Sequence, residues 1–241
     1  MTRLNRRRVR GIVDKELREF RRNRSLMIGM GIVPLVFCVQ PLVQVFTLDP
    51  AAAVPLRREH VLLYMLGIPA LVPSFVAAYS IVGEREQGTL EPVLTTPVRR
   101  EELLLGKALA ALLPAVGIAY LVFGLFVACV EILAAPPVAS ALIRPPDLLA
   151  QLIFTPLLAG WSIWVAMLIS ARANDIRVAQ QVSTLASLPS VAVTTLIAVD
   201  VIRAGLTTAV VAAVVLLALN VAGLWAVSAA FSRERLISAT S

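Results

Sequence analysis

The chain is short of the residues that most enzymes rely on. Its 241 residues include one histidine, His60, and two cysteines, Cys38 and Cys129, and only 15% of it is charged. A single histidine excludes multi-histidine metal centres and most histidine-based acid–base schemes. Both cysteines lie inside apolar runs. There a free cysteine acts as a small hydrophobe, and no disulfide framework is expected. These residues suggest neither a metal nor a cofactor. Soluble domains carry about 45–50% apolar and about 25% charged residues. This chain is 59% hydrophobic, with a mean hydropathy of +0.84. That balance excludes an ordinary soluble enzyme and points to a membrane protein that crosses the bilayer several times.

The apolar residues come in long runs. About 20 consecutive apolar residues cross a ~30 Å hydrocarbon core as a helix. Six runs meet that length: 26–46, 61–82, 108–132, 148–170, 179–199 and 205–231. The last two are separated by only a few residues around Asp200 and Arg203. Pro34 and Pro41, with Gln40 and Gln44, predict a kinked first span.

The net charge is +7, which could suggest a nucleic-acid partner. Its placement argues otherwise, because 10 of the 22 basic residues precede the first apolar run. Counted by side for six spans, Lys and Arg divide 18 against 4. This is a strong positive-inside pattern, and it predicts that both termini are cytoplasmic. Ala51-Ala52-Ala53 resembles a cleavage site, but the preceding run of 21 residues is too long. Signal-peptide cores hold about 7–15 residues, so the first span is expected to remain uncleaved. The longest stretches outside the apolar runs are 1–25 and about 83–107, and neither could form a globular domain.

In the first stretch, Val9, Ile12, Val13, Leu17 and Phe20 recur at helical spacing. Arg8, Arg10, Lys15, Arg18, Arg21 and Arg22 occupy the other face. This is the pattern of an amphipathic helix at a membrane surface, with its basic side toward anionic headgroups. Asp14, Glu16 and Glu19 would be idle in a helix that only faced lipid. They suggest that it also packs on the cytoplasmic ends of the spans.

The stretch between the second and third runs carries the most information. It holds five of the 15 acidic residues, on the side rich in positive charge. Acidic residues contribute little to orientation, so these suggest contacts. Gly88 permits a turn, and Thr89 can cap a short helix bearing Leu90, Val93 and Leu94 on one face. Pro97 suits the first position of the next helix, with Thr96 as its cap. Glu101 and Glu102 then fall in its first turns, where the helix dipole favours negative charge. A short amphipathic helix presented to the cytoplasm suits a groove on another protein. Gly83 to Gly88 has the spacing of a phosphate-binding loop, but Thr89 follows where that motif needs Lys. Glu101-Glu102 matches the paired glutamates of intramembrane CAAX-type proteases. Those proteins also need histidines within their spans, and His60 lies outside the runs.

The stretch Glu84-Arg85-Glu86-Gln87-Gly88-Thr89-Leu90-Glu91, then Thr95-Thr96-Pro97-Val98, Glu101 and Gly106-Lys107, resembles the hallmark of ABC-2 type transporter permeases. Lys15-Glu16-Leu17-Arg18-Glu19-Phe20 with Arg24 is similar to the opening of that family. The resemblance implies an all-α membrane protein. Residues 1–25 would form an elbow helix, 26–231 six spans with a coupling segment at 84–102, and 232–241 a tail. It implies a dimer, formed by a second copy or a paralogue, in the inner (plasma) membrane. Two copies of a separate ABC ATPase chain would bind on the cytoplasmic side, and most relatives export. Glu84, Glu86, Gly88, Thr89, Leu90, Glu91, Val93, Leu94 and Pro97 would carry ATPase coupling. Spans 2 and 5 would line a path near the dimer axis.

On span 5, Ser183, Ser187, Ser190 and Thr194 share one helix face. Such a stripe suits close helix packing, or it lines a path. Tyr64, Ser74 and Tyr79 on span 2 are weaker candidates, as are Glu131 and Asp200 at span ends. Two rivals to a permease are a scaffold that recruits a cytoplasmic partner and an intramembrane enzyme. The enzyme would need a His, Asp or Ser constellation within the spans, and the sequence offers none.

Overall fold

The computed structural model describes residues 5–47, 60–86, 99–173 and 175–230. Within them, the side chains of Gln40, Gln44, Glu84, Arg85, Glu86 and Arg100 are not described. The described residues are helical, with no strand among them.

Helix α1, Arg6–Arg22, is amphipathic and starts under an Asn5 cap whose side chain accepts the Arg7 N–H. It stops at Asn23, which is extended, with φ −92° and ψ 102°. The Asn23 N–H closes α1 on the Glu19 and Phe20 carbonyls, and its side chain accepts the Leu26 N–H. One residue therefore ends one helix and caps the next. That helix, α2, runs Arg24–Thr47 and contains Pro34 and Pro41, the prolines from which the kink was predicted.

A 3-10 turn, Val61–Leu66, leads into α3, Gly67–Glu86. The restart at Gly67 puts Pro69 in the first turn of α3, where a missing N–H costs nothing. At Gly67 α2 comes so near that a Cβ there would overlap the Phe37 ring. Helix α4, Arg100–Leu133, spans 34 residues. At about 1.5 Å per residue it is about 51 Å long. It therefore projects well past a ~30 Å hydrocarbon core.

A short helix α5, Pro136–Leu142, follows, then α6, Pro145–Ser170, each with proline in its first turn. Helix α7 is Ile176–Ala198 and α8 is Leu206–Ala230. The few residues around Asp200 form a turn in which Asp200 is left-handed, at φ 58°. Asp is one of the few non-glycine residues that visit that region routinely.

Six helical stretches are long and apolar enough to cross a membrane: Arg24–Thr47, Val61–Gly83, Glu101–Leu133, Pro145–Ser170, Ile176–Ala198 and Leu206–Ala230. They match the six apolar runs one for one. They are not equally enclosed. In Val61–Gly83, 83% of the most apolar stretch is buried, against 11% in Leu206–Ala230. Helix α3 is thus the axis of the bundle. It packs on α6 and α7, which also touch each other, while α2, α4 and α8 close the outside. The outward apolar side chains of α2, α4, α7 and α8 suit a lipid surface.

Candidate functional site

The site lies at the basic end of the bundle, where α1, α3 and α4 meet. The buried residues of α1 are Val9, Val13, Glu16 and Phe20. They follow the helical interval of three and four, so one carboxylate sits inside the apolar stripe. Glu16 is buried, as are Lys107 of α4 and Ser80 of α3. Lys107 Nζ donates to Glu16 Oε1 at 2.7 Å, to the Ser80 carbonyl at 2.8 Å and to the Ser80 hydroxyl at 3.2 Å. The Ser80 hydroxyl donates in turn to Glu16 Oε2 at 2.8 Å. The three groups form a closed ring across three helices. A buried charge is tolerable only when it is paired and hydrogen-bonded in this way.

Immediately before Lys107 on α4, Gly106 explains how α1 comes so close to α4. A Cβ on Gly106 would lie 2.7 Å from Ile12 Cγ2 and 2.8 Å from Ile12 Cβ. Real Cβ atoms do not approach so near, so any side chain here forces α1 outward. Glu102, a turn and a half before Lys107, provides a second anchor. Its carboxylate accepts the Asn5 N–H at 2.8 Å and the Arg99 N–H at 3.2 Å, and Arg8 lies 3.6 Å away. Thus α1 is fixed at its start through Glu102 and at its middle through Glu16. Both anchors lie on the first turns of α4, and the second also reaches the last turns of α3.

Those two helices flank the stretch in which the coupling candidates lie. Gln87 to Val98 lie outside the described residues. Gly88, Thr89, Leu90, Glu91, Val93, Leu94 and Pro97 are among them, so no structure is given for these candidates. Glu84 and Glu86 belong to the last turn of α3, without described side chains. The start of α4 differs from the expectation. The helix begins at Arg100, not at Pro97, and Arg99 is its extended cap, with φ −72° and ψ 143°. Glu102 folds back and accepts the Arg99 N–H, the back-bond of a capping box. Glu101 and Glu102 do fall in the first turn, as expected.

The serine stripe of α7 faces inward. Ser183, Ser187 and Thr194 are buried and Ser190 is half-buried. Ser187 Oγ donates to the Ser183 carbonyl at 3.0 Å and lies 3.1 Å from Ser162 Oγ of α6. Ser162 in turn donates to the Ala70 carbonyl of α3. Thr194 turns back on the Ser190 and Val191 carbonyls of its own helix. The Ser183 hydroxyl has no hydrogen-bond partner, and the stripe lies among closely packed helices. Of the weaker candidates, Ser74 is buried and donates to Leu71 O at 2.6 Å, and Glu131 and Asp200 are exposed.

At the opposite end, His60 is the residue that precedes and caps the 3-10 turn. Its backbone N–H donates to Ala198 O at 2.8 Å. Its Nδ1 lies 2.6 Å from Asp147 Oδ1 and 3.0 Å from Arg144 Nη2. Arg144 also holds Asp147 Oδ2 through Nε at 3.0 Å and Nη2 at 2.8 Å. One ring nitrogen cannot donate to the carboxylate and accept from the guanidinium at once. The imidazole tautomer therefore decides which partner His60 holds. No group of three or more metal-binding side chains occurs among the described residues.

Residues 10–239 match the family model described as ABC-2 family transporter protein. The match covers nearly the whole chain, and the protein belongs to that family. It is a multi-pass membrane protein and the permease subunit of an ABC transporter, a type that pairs with an ABC ATPase. No curated protein matches the chain.

Proposed function

We propose that this permease exports its substrate, driven by a separate ATPase chain that docks on the 84–97 segment. Two copies of the permease, or one with a paralogue, would sit over two copies of the ATPase. The basic end faces the cytoplasm of an inner (plasma) membrane, with both termini on that side. ATP bound by the partner favours one arrangement of the paired ATPases, and only such differential binding can drive a conformational change. Glu84, Glu86, Gly88, Thr89, Leu90, Glu91, Val93, Leu94 and Pro97 carry the contact.

One observation gives this reading a mechanism. Helix α1 is joined to both helices that flank the coupling segment, through Glu16, Ser80 and Lys107. A push on the segment reaches α3 and α4 together, and α1 keeps the two moving as one body. Helix α3 is the axis of the bundle, so its movement reaches every span packed on it. Ser183, Ser187, Ser190 and Thr194 line a path only if α7 parts from α3 and α6. In the closed packing they act as small, polar spacers.

Purification in mild detergent, followed by mass spectrometry, tests the partner. A stoichiometric ATPase with a phosphate-binding loop should accompany the chain. Leu90→Asp should lose that ATPase, and with it ATP-dependent export in vesicles, while still inserting in the membrane. Retention of the ATPase by Leu90→Asp with normal transport would overturn the docking site.

A further inference from the structure

The inner face of α6 carries Asp147, Gln151, Thr155, Ala159, Ser162, Ala166 and Ser170, at steps of three or four. All seven are buried. Most of the polar ones are satisfied. Asp147 holds Arg144 and His60, Ser162 holds Ala70 O, and Ser170 Oγ reaches Ala78 O at 3.4 Å. Gln151 and Thr155 are the exceptions. Gln151 is 1% exposed and Thr155 0%. Neither atom of the Gln151 amide, nor the Thr155 hydroxyl, has a hydrogen-bond partner.

Buried polar side chains are paired in the large majority of cases, by protein or by ordered water. Thr155 could turn its hydroxyl to a carbonyl of its own helix. Gln151 has no such refuge. Its amide offers two donors and an acceptor oxygen with two lone pairs. Turning the amide over merely exchanges two atoms that both lack partners. The two residues are one helical turn apart on the same face, about 6 Å along the axis. One turn nearer the far end lies the charged His60–Arg144–Asp147 cluster. Arg144 and His60 are partly exposed there.

We propose that Gln151 and Thr155 form an internal site for ordered water, fed from the far end past Asp147. The ligand class is water because the site is neutral and supplies both donors and acceptors. It also continues an existing polar cluster. A water with two to four polar partners is the usual solution for such groups. The waters extend the polar face of α6 inward until protein contacts resume at Ser162. Exchangeable hydrogen bonds then replace rigid packing along the far half of α6. The site does not depend on how the ATPase docks.

Hydroxyl-radical footprinting with X-rays reads internal water directly, and it uses the intact chain in nanodiscs. Phe154 and Leu158 flank the site on α6. After correction for intrinsic reactivity, they should be oxidised at least about tenfold faster than Ile163 and Met167, buried lower on the same helix. The site label should exchange slowly when bulk water is switched to the 18O form. Gln151→Leu and Thr155→Val should each abolish the fast labelling, without raising the thermal midpoint. Equal protection at the four reporters would overturn the site. So would a rise in the midpoint for both variants, which is the response of dry, orphaned groups to apolar replacement. The labelling of the unaltered chain decides the matter even if a variant fails to fold.

Discussion

The two ends of the bundle bury polar groups in opposite ways. At the basic end, Glu16, Lys107 and Ser80 close on one another, and each group is held by the other two. At the far end, Asp147 is held by two partners, and then Gln151 and Thr155 follow with none. Both arrangements sit on apolar helices in which an unsatisfied polar group is expensive. The closed ring defines a single position for α1. The open row leaves Gln151 and Thr155 without a protein group to fix them. On the function proposed above, the closed ring would be the rigid place that receives a push from the partner.

The sharpest way to break this contrast is to remove one member of the ring. Lys107→Met removes the buried counter-charge of Glu16 and leaves only the half-exposed Lys15, 3.5 Å away. It should lower stability by about 3 kcal/mol, the low end for a broken buried pair. Glu16→Met should do the same from the other side. The double variant, with no buried charge, should recover most of the loss, because apolar replacement of a whole buried pair is often neutral. Thermal midpoints in detergent for the four proteins complete the cycle. If the single and double variants lose equally, the ring is not the fastening described here.

A smaller effect is expected at the neighbouring glycine. Gly106→Ala keeps every charge but presses a methyl group against Ile12. Overpacking of this kind costs about 1–3 kcal/mol. Ile12→Ala should relieve only part of it, since it removes Cγ2 but keeps the Ile12 Cβ that would lie 2.8 Å from the new methyl. Proteolysis at the α1–α2 junction near Asn23 would report the displacement of α1. Unchanged cleavage in Gly106→Ala would mean that α1 does not need its close seat.

The division between the ends was partly legible in the sequence. Hydropathy alone gave six spans, since each run had to exceed the length that crosses a bilayer. The start of α4 was misplaced by three residues. Thr96-Pro97 has the right local chemistry for a helix start, yet the cap is Arg99, whose N–H bonds to Glu102. Glu16 was a visible signal, because it interrupts the Val9–Val13–Phe20 stripe at helical spacing. Its partner was not visible, since nothing local says that Lys107, 91 residues on, would face it. The Asp147–Gln151–Thr155 row was equally readable as a four-residue repeat, but span 4 was read only as an apolar run. The serines of span 5 were seen as one face. Whether that face looked inward was a question of tertiary packing that spacing cannot answer.

The far half of α6 holds one further device, and it offers the finest test of the contrast. Pro156 lies within α6 and cannot donate to the carbonyl of residue 152. In the membrane that carbonyl has no water to turn to. Tyr120 of α4 supplies the missing bond, its hydroxyl donating to Leu152 O at 2.7 Å. Tyr120→Phe should therefore cost about 0.5–1.5 kcal/mol, the ordinary net worth of a hydrogen bond. The same change made in a Pro156→Ala background should cost less, because an alanine N–H at that position restores the helix bond to the Leu152 carbonyl. Thermal midpoints for the pair of backgrounds give the coupling directly. Equal losses in both would show that Tyr120 serves the helix surface and not the proline. Unequal losses would show that α6 is open to repair from a neighbouring span on one face. By the footprinting test above, its other face would be repaired by water.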